Sequence, residues 1–225
     1  MKVIDTPRTG KIGTQVAYAS PFGQCVHAYV VPRNPQTPAQ VRMRTIFGSS
    51  ARAWSLSLTD SQRELWALAA LHVPSQPWLG HYAHLSGQQL WVKINSTLRC
   101  IGQAPMTAPP ALAVFGPSPV GELTMGYDDE GGLRLRLNVG TVTEDIMLFG
   151  QAPCSQGRMK PRQLCYLGLL GPVVDGQCDI TAQYTARHGQ PAPGRKVFIV
   201  TCQERNGWKA PDQATNAIVP PRPST

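Results

Sequence analysis

Six cysteines, five histidines and thirteen carboxylates are the side chains with which this 225-residue chain would do nucleophilic, acid–base or metal chemistry. Cys25 and His27 are two apart, so on a strand they share one side. A thiol–imidazole pair also needs a group that orients the base. Packing accounts for the pair at least as well. His81 and His84 are three apart with His72 upstream, but no third and fourth ligand is spaced for a metal. They read as surface or interface residues. Asp128-Asp129-Glu130 supplies the hard oxygens that calcium prefers, yet lacks the spaced carboxylates of a calcium loop. It reads as a solvated hairpin tip. Glu144 and Asp145 open a strand and are expected to be exposed. There is no Cys-x-x-Cys pair, no Gly-x-Ser-x-Gly elbow and no Gly-Lys-Ser/Thr phosphate loop, and Gly168 and Gly171 open no dinucleotide fingerprint. The expectation is a protein that is not an enzyme and holds no metal or cofactor.

Charge points to partners. The net charge is +8, and charged residues are only 15% of the chain. Residues 1–110 carry 10 Lys/Arg against 3 Asp/Glu, while residues 111–225 carry 11 against 10. A basic half beside a near-neutral one fits an acidic partner, nucleic acid included. Arg42, Arg44 and Arg52 fall in a broad polar sector of one expected helix. That helix, a short turn and the next helix imitate a helix-turn-helix. The would-be reading helix, however, carries a single cation, Arg63, beside Glu64, too few donors for phosphates and base edges. No block of five Lys/Arg exists. Nucleic-acid binding by the basic half is therefore the alternative, and a packing unit with a basic rim is preferred.

The elements that must position these residues are legible from turn and cap chemistry. Gly and Pro number 21 each, which favours turns and extended segments over a mostly helical protein. Residues 12–20 and 24–31 read as a hairpin about Pro21-Phe22-Gly23. Thr37-Pro38-Ala39-Gln40, Thr59-Asp60-Ser61-Gln62 and Ser86-Gly87-Gln88-Gln89 are three capping boxes, in which a hydroxyl and a Gln each satisfy a free backbone N–H. They start helices expected over about 38–54, 60–71 and 87–101. Met43, Ile46, Phe47 and Trp54 are expected to face the core from the first. Leu65, Leu68 and Ala69 are expected to do so from the second, with Trp66 beside them. Leu90, Ile94, Leu98 and Ile101 do so from the third, flanked by Trp91. Three prolines in residues 103–111 mark a linker. Strands follow at 122–127, 133–139, 145–151, 163–170, 179–184, 197–202 and 214–219, with Leu133, Leu135 and Leu137 alternating with polar residues.

Residues 110–220 resemble a fibronectin type III domain, through Pro109-Pro110, the strand count, and the run Val197 to Gln203 followed by Asn206-Gly207. The resemblance implies an adhesive or spacer module without catalysis. The early core Trp usual in that family has no counterpart, because the sole Trp of this segment is Trp208. The first half is similar to a group of uncharacterised bacterial and bacteriophage-associated proteins. The similarity lies in Asn34 to Gln40, Ala53-Trp54, Leu58 to Arg63 with Trp66, and Leu85-Ser86-Gly87 running into Leu90 to Asn95. Its setting implies virion or surface assembly.

The fold expected is α+β: a hairpin and a three-helix unit, then a fibronectin type III-like antiparallel β-sandwich. The divisions expected are arm and hairpin 1–36, helices 37–102, linker 103–111, sandwich 112–220 and tail 221–225. The function expected is structural, in a phage or phage-like virion, through contacts with other copies or other assembly proteins. Phe22, His27, Tyr29, Arg33, Arg42, Arg44, Arg52, Trp78, His81 and Pro220 are the candidate interface residues. No apolar run reaches the ~18 residues of a membrane helix, and no signal core opens the chain, so a virion or cytoplasmic location is expected. The six cysteines are expected as thiols in a reducing compartment, with disulfides the other outcome.

Overall fold

The computed structural model describes residues 8–20, 23–31, 34, 36–75 and 83–222. The chain divides into two compact units, residues 1–38 and 39–225.

The first unit is a three-stranded antiparallel ribbon of β1 (Gly10–Ile12), β2 (Gln15–Ser20) and β3 (Gly23–Ala28) in the order β1-β2-β3. The expected hairpin is there, with Tyr18 opposite Cys25 and Val16 opposite His27. The expected first strand, however, does not run unbroken from residue 12. Gly13 adopts φ +59°, a left-handed turn that glycine tolerates, and residues 10–12 fold back to pair with β2. This ribbon has almost no core. Ala17 is its one buried side chain among the described residues, while Val26, Tyr29, Val30 and Val31 are exposed.

The second unit opens with α1 (Pro38–Ser57) and α2 (Asp60–Ala70), a two-residue pair β4 (Pro74–Ser75) and β5 (Ala83–His84), and α3 (Gly87–Cys100). Two expected capping boxes are formed in full. Thr59 Oγ1 accepts from the Gln62 amide while Gln62 Oε1 accepts from the Thr59 amide, and Ser86 and Gln89 do the same. α3 buries the expected face, with Leu90, Ile94 and Leu98 inside, whereas α1 and α2 differ from expectation in part. On α2, Trp66 and Ala70 are fully buried, whereas Leu65 and Leu68 are exposed. On α1, Met43 and Phe47 are also exposed, and Ile46, Ser50 and Trp54 turn inward. The indoles decide this. Trp66 and Trp91 meet edge to face with centroids 5.4 Å apart, and Trp54 lies 6.2 Å from Trp91. An indole buries more apolar area than a leucine and keeps one N–H to satisfy. Trp91 Nε1 donates to the Ser50 carbonyl and Trp66 Nε1 to the Thr107 carbonyl, both at 2.9 Å.

Seven strands form the remainder: β6 (Val120–Tyr127), β7 (Leu133–Val139), β8 (Asp145–Gly150), β9 (Cys165–Leu169), β10 (Gln177–Asp179), β11 (Lys196–Arg205) and, after the two-residue β12 (Trp208–Lys209), β13 (Gln213–Ile218). All pairings are antiparallel. One sheet has the order β10-β7-β6, and the other β12-β11-β8-β9 with β13 also on β11. Leu133, Leu135, Leu137 and Val139 point from the first sheet, and Ile146, Leu148, Val197 and Ile199 from the second, into one apolar core. The molecule is α+β.

Two expectations are corrected here. Residues 179–184 are not a strand: β10 ends at Asp179 and α4 covers Thr181–His188. Ile180, Tyr184 and His188 are spaced by four, and Ile180 and Tyr184 are fully buried, so the apolar period is helical. The prolines of 103–111 do not separate two bodies. Asn95 Oδ1 accepts from the Met106 amide at 2.7 Å, Met106 packs on the helical core, and Trp208 from the strands joins that core. Helices and sheets therefore lie in the one unit 39–225.

Candidate interaction surfaces

The helical surface carries the clearest unpaired apolar area. Val41, Met43 and Phe47 on α1, and Leu65, Leu68 and Leu71 on or just after α2, are each close to half exposed or more. Phe47 and Ala51 border a cleft of about 470 Å³ whose other wall is Gln88, Gln89, Val92, Lys93 and Ser96 of α3. Large apolar side chains left in water cost stability unless something covers them.

The ribbon is the second such surface. Among the candidate residues, Tyr29 lies under the Lys11 ammonium, 3.6 Å from the ring centre, and His27 stacks edge-on against Tyr18 at 5.8 Å. Cys25 and His27 share a strand, His27 meets the Tyr18 ring, and Cys25 is half-buried. Phe22, Arg33, Trp78 and His81 lie outside the described residues.

The arginines of α1 are unequal. Arg42 donates to the Cys100 carbonyl at 3.1 Å and sits 5.5 Å above the Tyr166 ring, so it clamps α1 to α3 and to β9. Arg52 is exposed, and Arg44 is exposed and partnered. On α2, Arg63 donates to the Trp54 and Ser55 carbonyls and pairs with Asp60, so its charge is spent on the α1–α2 turn. Pro220 belongs to the sandwich more than to a free tail. Its carbonyl accepts from Tyr127 Oη at 3.3 Å, and the preceding Val219 is buried and paired with Gly194 and Arg195.

One group of buried ionisable side chains lies between α1, α3 and the strands. Cys100, Cys202 and Met147 form a small core with Ile46, Phe149 and Tyr166. Burial pushes the Cys202 thiol up to about 11 and the Tyr166 phenol to about 12. A thiol held protonated is a poor nucleophile. Cys100, Cys154, Cys165, Cys178 and Cys202 are free thiols. Among the described residues, no three His, Cys, Asp or Glu side chains are placed to share a metal ion, and no helix is long and apolar enough to cross a membrane. The acidic turn holds itself together: Asp128 accepts from the Gly132 amide at 2.5 Å and pairs with Arg134 at 2.8 Å.

The chain matches no family model, no curated protein and no solved structure.

The helices of this surface are those expected, but Met43, Phe47, Leu65 and Leu68 face outward while Ile46 and Trp54 face inward as expected. The signal was present in Trp66 and Trp91: where indoles and leucines compete for one side of a short helix, the larger apolar body goes inside.

Proposed function

We propose that this is a non-enzymatic structural protein that works by joining copies of itself in a multi-subunit particle, a phage-like virion component. One observation carries the reading. The ribbon of residues 10–28 has three paired strands and, among the described residues, one buried side chain. A small sheet without a hydrophobic face to bury is marginal in water. Strand addition to a neighbour's sheet supplies both the missing backbone partners and the missing cover. The ribbon is its own unit, joined to the rest at residue 38, which suits an element that reaches a second copy.

The strand arrangement of residues 120–218 supports a fibronectin type III-like spacer in the same role. Numbered from β6 and leaving out β12, the first, second and fifth strands form one sheet and the third, fourth, sixth and seventh the other. That division follows the ABED/CFG division of immunoglobulin-like sandwiches except at the fourth strand, β9, which joins the third, sixth and seventh. The virion setting rests only on the resemblance read from residues 34–95 of the sequence.

The test is the mass of the full chain in solution by size-exclusion chromatography with light scattering. The reading expects oligomers at micromolar concentration, and smaller species for Val26→Lys on β3. A stable monomer across the concentration range, with the ribbon intact, counts against it.

A further inference from the structure

The half-by-half charge totals conceal a local imbalance in the second unit. Neither residues 151–174 nor residues 180–203 contain a single Asp or Glu, yet together they carry Arg158, Lys160, Arg162, Arg187, Arg195 and Lys196. The loop after β8 and the end of α4 bring the central members together. Gln151, Cys154, Arg158, Arg162, Arg187 and His188 line one cleft of about 650 Å³, with no carboxylate in its wall. A second, shallower hollow of about 480 Å³ shares Arg158 and Arg162 and adds Lys160.

The loop that holds these cations is braced. Gln151 Oε1 accepts from the Arg162 amide at 2.5 Å, and the Gln151 carbonyl accepts from Tyr184 Oη at 2.8 Å. Cys154 and Lys196 exchange two backbone hydrogen bonds, and Gln156 donates to the Gly194 carbonyl. Lys196 Nζ donates to the Arg158 carbonyl at 3.1 Å. Two nitrogens of the cleft, Arg158 Nε and His188 Nε2, are buried without a hydrogen-bond partner. Among the described residues, none of the six cations has an ion-pair partner.

Like charges held close by a braced loop, with no carboxylate in the cleft wall and the Arg158 Nε–H left without an acceptor, favour an anion in the cleft. Guanidinium groups present planar forks of donors that match phosphoryl oxygens. The volume is that of a small-molecule site. No Phe, Tyr or Trp ring lines the cleft, so it offers no platform for stacking a base. We propose that the cleft formed by the loop 151–165 and the end of α4 binds a compact oligophosphate anion.

The test is calorimetric titration of the full chain with tripolyphosphate at low salt. One site per chain is expected, weakening as salt rises. Arg162→Gln and Arg187→Gln, both exposed positions whose circular dichroism should match the parent, are each expected to weaken binding at least tenfold. Arg52→Gln on α1 is expected to leave it unchanged. Absence of binding by the parent protein overturns the proposal, as does parental affinity in both Arg162→Gln and Arg187→Gln or an equal loss in Arg52→Gln. A ten-nucleotide single-stranded DNA that binds more tightly than tripolyphosphate at the same salt overturns the compact ligand.

Discussion

Gly207 is seated directly on Ile94. A Cβ added to Gly207 would lie 2.5 Å from Ile94 Cγ2 and 2.8 Å from the Ile94 carbonyl oxygen. The glycine is at the tip of the β11–β12 turn and Ile94 is fully buried on α3, so this contact is where a sheet turn meets the helical core. Trp208, the next residue, enters the same core.

Gly207→Ala is expected to destabilise the protein by about 3 kcal/mol, because it combines a φ of +85° with an overlap that neither backbone can relieve. Urea unfolding of the variant beside the parent measures it. A loss under about 0.5 kcal/mol would mean that the turn and α3 are not locked together.

Glu204 lies buried beside that turn, its carboxylate accepting the Gly207 amide. Burial raises its pKa above the ordinary 4.5, the Gly207 hydrogen bond lowers it in part, and the carboxylates of Asp145 and Glu144 raise it further. The folded state thus holds this proton more tightly than the unfolded state. Its contribution is fully present below pH 4.5 and is lost as pH rises through the folded value. Glu204→Gln keeps an acceptor for Gly207 and cannot ionise. It is expected to show a flatter stability profile between pH 4.5 and 8 than the parent, read by urea unfolding at several pH values. Parallel profiles would show that Glu204 is not the group responsible.

The cysteines should fall into two classes. Cys100, Cys178 and Cys202 are buried, with thiols held above their usual pKa chiefly by burial. Cys25, Cys154 and Cys165 are half-buried. Titration with a thiol reagent is expected to label the second three in the native protein and all six after unfolding. Rapid native labelling of Cys202 would contradict the packing of α1 and α3 over that sheet.

Phe47 separates folding from assembly. It is 60% exposed on α1, so Phe47→Ser should change stability by less than about 0.5 kcal/mol. If the apolar helical face meets a neighbour, the same variant should shift the light-scattering mass toward smaller species. An unchanged mass would leave association to the ribbon alone.

What the sequence determined by itself is what neighbours along the chain decide. The caps at Thr59 and Ser86 each need a Gln three residues on, and both formed. The alternation of Leu133, Leu135 and Leu137 set the buried side of β7, because successive side chains on a strand must point to opposite faces. The segment 181–188 was misread although Ile180, Tyr184 and His188 already carried a helical period, a signal too short to outweigh the strands on either side. Other features exist only through distant segments. Whether α2 buries Trp66 or Leu65 depends on Trp91, 25 positions away. The arginines of 158–162 become one cluster with Arg187 only when β8, β9 and α4 fold their ends together. Charge totals along the chain average such a cluster away, because electrostatic neighbours are set by distance in space and not by order in sequence.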